Sequence, residues 1–154
     1  MEIDIEARAE AARANFKSGY NCAQSVVMAY ADIIGLDKEF AAKMSASFGG
    51  GMGRMREVCG TVSGMSMLAG FLSPATDPSN MAQRKANYAL VQDFAGKFRA
   101  ENGSIVCREL LALDGTQPSA QPSERTPEYY RRRACADYVA AAARIVGEYI
   151  ANNK

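Results

Sequence analysis

Phe48-Gly49-Gly50-Gly51-Met52-Gly53-Arg54-Met55-Arg56-Glu57-Val58-Cys59-Gly60-Thr61-Val62-Ser63-Gly64 is a glycine-rich turn that runs into a cysteine and then into an apolar helix. Six glycines in these seventeen residues would be costly in a regular element. They therefore imply positive φ angles or a close backbone approach to another group. From Cys59 onward, Cys59, Val62, Met65, Leu68, Ala69 and Leu72 recur at helical spacing, which places Cys59 in or beside the first turn of a buried helix. Orphan N–H groups and the positive end of a helix dipole stabilise a thiolate there, and can bring its pKa below the free value of about 8.5.

Outward from this stretch the chain reads as helix after helix. Ile5, Ala9, Ala12 and Phe16 form the inner face of a first amphipathic helix that Gly19 ends. Asn21 caps a second helix with Cys22 at its first position, and Cys22, Val26, Ala29, Tyr30 and Ile33 share one face as far as Gly35. Asp37 caps a short third helix carrying Phe40, Met44 and Phe48 inward. After the central helix, Asp77-Pro78 is a cap and first position for a long helix with Met81, Tyr88, Val91, Ala95 and Phe98 as its stripe. Ser104 caps a short helix with Cys107 in its first turn, continued by Leu110, Leu111 and Leu113.

The segment Asp114 to Thr126 reads as a surface loop. Thr126-Pro127-Glu128 then starts a last helix whose inner face is Cys135, Tyr138, Val139, Ala142, Val146 and Tyr149. No sustained alternation of β-branched residues occurs. The expected architecture is a single all-α domain over residues 1–154, a bundle of six or seven helices. The apolar character from Val58 to Leu72 suits either a core helix or the seam of a homodimer.

Composition narrows the chemistry. Eighteen basic against seventeen acidic residues give a net charge of +1, so no global field recruits nucleic acid or an acidic membrane. Arg131-Arg132-Arg133 reads as a solvated helix face. No run approaches the roughly 18 apolar residues of a membrane span, and the acidic start Met1 to Glu6 lacks the order of a secretory signal. A cytoplasmic location with reduced thiols is the expectation. The absence of histidine removes Ser-His-Asp and Cys-His catalysis together with histidine metal ligands.

Cys22, Cys59, Cys107 and Cys135 are 37, 48 and 28 residues apart, so there is no Cys-x-x-Cys knuckle. Burial as small hydrophobes is the plain reading of such cysteines. Against it, three of them start separate helices and the fourth lies on the inner face of another. Asn21-Cys22-Ala23-Gln24-Ser25-Val26, the run Phe48 to Gly53, Cys59-Gly60-Thr61-Val62-Ser63-Gly64, Cys107-Arg108-Glu109-Leu110-Leu111, and Cys135 with Tyr138-Val139 after it complete the pattern. From about Phe16 to Ile145 the chain resembles the C_GCAxxG_C_C family of redox-active proteins, with Thr61 where that family's Cys-Gly-Ala-x-x-Gly motif has alanine.

The resemblance implies a redox or metal role for the cysteine set, as an oxidoreductase or as an electron carrier with a redox partner. Convergence of all four cysteines on an iron–sulfur cluster or another thiolate-bound metal comes first, because four cysteines match a four-ligand count. Dithiol–disulfide exchange comes second, with Cys59 as the low-pKa attacking thiol and Cys22 or another cysteine resolving. A helical interaction module with inert thiols is third. The turn is expected to wrap over the site with its N–H groups directed at it, which makes Gly51, Gly53, Gly60 and Arg54 the candidate cofactor-binding positions. Glu57 is the carboxylate considered for proton transfer, and Tyr20 reads first as packing, with a hydrogen bond to a thiolate as its alternative.

Overall fold

The structure is a computed structural model that describes residues 2–112 and 119–153. Its helices are α1 (Ile5–Lys17), α2 (Cys22–Met28), α3 (Lys38–Ser45), α4 (Gly60–Leu72), α5 (Met81–Asn102), α6 (Cys107–Leu110), α7 (Pro127–Arg132) and α8 (Cys135–Asn152), with a 3-10 turn at Ala46–Phe48. Among the described residues there is no sheet, only an isolated antiparallel bridge between Val58 and Val106. The fold is all-α, as the periodicity predicts. Leu113 and the Asp114 to Pro118 part of the expected surface loop lie outside the described residues.

Local signals place most helix starts. Asn21 accepts from the Gln24 N–H while Gln24 accepts from the Asn21 N–H, a complete capping box in front of Cys22. Asp37 accepts from the Phe40 N–H, and Thr126 from the Tyr129 N–H ahead of Pro127. Elsewhere the boundary moves. Asp77 accepts from the N–H and hydroxyl of Ser79, so the long helix begins three residues later with Asn80 as its cap. Val106, not Ser104, is the cap residue of α6, and the Ser104 hydroxyl instead accepts from the Val106 N–H.

The main core is built on α8, which packs against α1 along its length and also against α2, α4 and α5. Ala140, Ala141, Ala142 and Ala143 are all buried, and these small side chains let α1 approach through Ala9 and Ala12. Tyr30 is fully buried and donates from its hydroxyl to the Ala143 carbonyl at 2.6 Å. Met65 and Leu68 of α4 and Phe94 and Phe98 of α5 complete the core. Two expected stripes are displaced. Met81 and Tyr88 are 56% and 58% exposed, because α5 meets the core only from Leu90 onward. Phe40 is 55% exposed, and α3 docks instead through Ala41 and Ser45.

The largest difference lies at the C-terminal end, where the single helix expected from Thr126 to Tyr149 is two. Arg133 is extended (φ −109°, ψ 125°) between α7 and α8, so α8 begins at Cys135. This break raises the helix count to eight among the described residues. It also moves Cys135 from mid-helix to a helix start. No helix among the described residues is long and apolar enough to cross a membrane.

Candidate functional site, a four-cysteine cavity

All four cysteines line one cavity of about 70 Å³ between the glycine turn and the starts of α2, α4, α6 and α8. Cys22, Cys107 and Cys135 are the first residues of their helices, and Cys59 is the residue immediately before α4. The Val58–Val106 bridge brings two of these starts together. The Cys59 N–H donates to the Ile105 carbonyl at 2.8 Å and the Cys107 N–H to the Glu57 carbonyl at 2.6 Å. Each cysteine is a free thiol, with Cys59, Cys107 and Cys135 buried and Cys22 half-buried.

The turn is held in an unusual backbone conformation. Gly50, Gly51, Met52, Gly53 and Arg54 all have φ between 55° and 70°, and Arg56 has φ 63°. Positive φ at the non-glycine positions costs about 1–3 kcal/mol each and persists only where surrounding structure enforces it. Here the enforcement is internal. The N–H groups of Gly53, Arg54, Arg56 and Glu57 donate to the carbonyls of Ser47, Gly49, Gly50 and Gly51. The N–H groups from Met52 to Glu57 are thus spent on carbonyls from Ser47 to Met52, which leaves Gly50 and Gly51, both lining the cavity, as the part of the turn that faces the cysteines. Arg108 latches the turn from outside, donating to the Arg56 carbonyl at 3.0 Å and pairing with Glu57 at 3.2 Å.

Of the candidate cofactor-binding positions, Gly51 and Gly60 line the cavity, whereas Gly53 and Arg54 line a wider cleft outside it. A Cβ on Gly51 would stand 2.7 Å from both the Cys107 Cβ and the Glu57 nitrogen. Gly60 has helical φ but the same kind of constraint: its Cβ would meet the Phe48 carbonyl at 3.0 Å and the Cys22 Cβ at 3.2 Å. Glu57 faces a separate recess and pairs with Arg108, and among the described residues no carboxylate lines the cavity. Tyr20 does not line it either; Tyr129 and Tyr138 do.

The electrostatics run against the expectation of a low-pKa Cys59. Burial pushes the Cys59 thiol up to about 11, only partly offset by Thr61, whose hydroxyl oxygen lies 3.0 Å from the Cys59 sulfur. Thr61 therefore touches the site. Arg56 reaches the Cys107 sulfur at 3.6 Å. The Cys135 thiol shifts the other way from Cys59. The neighbouring Cys22 and then the positive charges of Arg133, Arg125 and Arg56 bring the Cys135 pKa down to about 7 despite burial. Cys22 shifts the opposite way, well above the ordinary thiol range, because the neighbouring Cys135 and its own burial both disfavour its thiolate. The start of the 18-residue α8 at Cys135 adds its dipole in the same direction.

The arginines are fixed by neutral partners. Arg125 lies 4.2 Å from the Phe16 ring centroid and donates to the Phe16 and Tyr20 carbonyls at 2.9 and 3.1 Å. Arg133 stacks over Tyr129 at 5.4 Å. Of the Arg131-Arg132-Arg133 run, only Arg133 turns to the cavity; Arg132 pairs with Glu128 on the surface.

Four helix-start cysteines around one cavity can hold and exchange electrons through sulfur. The model of the family described as "Putative redox-active protein (C_GCAxxG_C_C)" matches residues 20–149, a span that contains all four cysteines and the whole glycine turn. The chain belongs to the C_GCAxxG_C_C family. As a C_GCAxxG_C_C protein it is redox-active by family description. Neither the curated proteins nor the solved structures give a match. Among the described residues of this C_GCAxxG_C_C chain, no three His, Cys, Asp or Glu side chains are grouped so as to hold a metal ion.

Proposed function

We propose that this protein is a thiol redox protein in which Cys135 is the attacking thiolate and Cys22 the resolving thiol. What supports this reading is the meeting of Cys22 and Cys135, each a free thiol at the first residue of its helix, in one cavity lined by arginines, with their pKa values shifted in opposite directions. The Cys135 thiolate attacks one sulfur of a disulfide acceptor, forming a mixed disulfide and expelling a thiolate. Cys22 then gives its proton to a departing thiolate, and its sulfur attacks the Cys135 sulfur, releasing the second half of the acceptor. Two electrons pass from the protein dithiol to the acceptor, one S–S bond is broken and one is made. This pairing replaces the sequence preference for Cys59.

A second reading is favoured by the meeting of all four cysteines in one cavity: Cys22, Cys59, Cys107 and Cys135 as ligands of an iron–sulfur cluster for electron transfer. An all-thiol set with arginines beside it suits an anionic cluster chemically. A single ion ranks lower, because it needs the sulfurs grouped more closely than they are.

One experiment separates the two. Anaerobically purified protein is assayed for iron and acid-labile sulfide, then titrated with a mild disulfide oxidant and mapped by peptide mass spectrometry. Loss of two thiols per chain with a Cys22–Cys135 disulfide is the expected result. Stoichiometric iron and sulfide with all four cysteines protected would establish the cluster instead.

A further inference from the structure

Outside the cysteine cavity, and continuous with it through Asn21, Gly50, Arg56, Arg125, Tyr129 and Arg133, lies a cleft of about 600 Å³. That volume is within the range of small-molecule sites, about 300–1,000 Å³. Four guanidinium groups line it, those of Arg54, Arg56, Arg125 and Arg133, and among the described residues no carboxylate does. Arg8, Arg13, Arg108, Arg132 and Arg144 elsewhere each pair with a carboxylate. Among the described residues the four cleft arginines have no such partner. Arg54 donates to the Ser119 carbonyl and the Ser123 hydroxyl, both at 3.0 Å, and the other three use carbonyls, a sulfur and an aromatic face.

Gathering like charges into a partly buried cleft is unfavourable unless something of opposite sign enters it. The Arg54 guanidinium registers the crowding, since burial and then the charges of Arg56 and Arg133 lower its pKa. Two of the four arginines, Arg54 and Arg56, are also held at positive φ, a conformation that tends to persist at ligand clamps. The inner cavity, by contrast, is too small for anything beyond a few heavy atoms. A molecule that uses both spaces presents a small reactive group inward and its acidic groups outward.

We propose that the cleft binds a low-molecular-weight disulfide carrying at least two acid groups, carboxylate or phosphate, with the acids against Arg54, Arg56, Arg125 and Arg133 and a sulfur directed toward Cys135. This names the acceptor class for the dithiol chemistry proposed above and rests on that reading. The atom and electron balance is that of the exchange already given: one acceptor disulfide becomes two small thiols as the Cys22–Cys135 disulfide forms.

The test compares oxidation of the reduced protein by glutathione disulfide, a tetracarboxylate, by coenzyme A disulfide, a polyphosphate, and by neutral hydroxyethyl disulfide. Arg54 lines only the outer cleft, so Arg54→Gln should slow the two acidic disulfides about tenfold, as for loss of one charge-assisted contact. The neutral one should be unchanged, and Arg54→Lys should recover most of the loss. Whichever acidic disulfide is faster identifies the acid. Binding of unreactive S-methylglutathione, followed by calorimetry, reads the cleft without any redox step and should weaken about tenfold in Arg54→Gln. If the neutral disulfide forms the Cys22–Cys135 bond and the acidic ones are no faster and insensitive to Arg54, the cleft assignment is wrong and the dithiol reading stands. If S-methylglutathione binds with the expected Arg54 dependence but none of the disulfides forms that bond, the acceptor role and the dithiol reading fall together and only an acid-binding cleft remains.

Discussion

Cys135→Ser is expected to abolish formation of the internal disulfide and to slow thiol oxidation at pH 7 on the order of a hundredfold, whereas Cys59→Ser leaves the rate within about threefold. The size follows from the two pKa values. A thiol near 7 is about half ionised at neutral pH, and one near 11 is ionised to roughly one part in ten thousand. The more basic thiolate is intrinsically the better nucleophile, which recovers nearly two of those decades and leaves about two. Stopped-flow kinetics with hydroxyethyl disulfide read this difference directly. A Cys59→Ser protein as inactive as Cys135→Ser would mean that the chemistry runs through α4, as the sequence alone suggests.

The second large effect concerns the turn. Gly51→Ala is expected to destabilise the protein by about 2–5 kcal/mol, combining a left-handed backbone cost with overpacking against Cys107 and Glu57. For a chain of this size that lowers Tm by roughly 5–15 °C. Gly53→Ala carries only the backbone cost, about 1–2 kcal/mol, because nothing within 3.9 Å opposes its Cβ. Differential scanning calorimetry of the pair decides it. Equal losses would show that the close approach to Cys107 is not what requires glycine at position 51.

What could be read in the chain, and what could not, divides along physical lines. The caps at Asn21, Asp37 and Thr126 were legible because each is a contact between a side chain and backbone three residues on. The α4 stripe was legible because one face of that helix is buried, through Val62, Met65, Leu68 and Ala69, while Gly70 and Phe71 are exposed. The break before Cys135 carries no such mark. Arg131 to Ala134 contains only strong helix formers, without glycine, proline or a capping side chain, so packing alone interrupts the helix.

With the break hidden, Cys135 reads as a mid-helix ligand on the core face with no helix start to favour its thiolate, and Cys59 takes the attacking role. Arg125 and Arg133 were missed for a related reason. One follows a polar loop, the other ends a charge run, and either context normally means solvent. Their signal was weak: aromatic neighbours at Tyr129 and Tyr130 onto which a guanidinium can stack. Glu57 and Tyr20 lie near cysteines in sequence, but the bridge at Val58 turns one away and the end of α1 turns the other.

The central claim, that Cys135 is the thiolate of a Cys22–Cys135 pair, is tested most directly by residue-resolved alkylation of the reduced, metal-free protein as a function of pH, read by mass spectrometry of each cysteine peptide. Cys135 should react with a midpoint near pH 7, rising as pH rises because its thiolate is the reactive form. Cys22 and Cys59 should stay slow until well above pH 9. A midpoint for Cys59 below that of Cys135, or a common value near 8.5 for all four, would contradict the assignment.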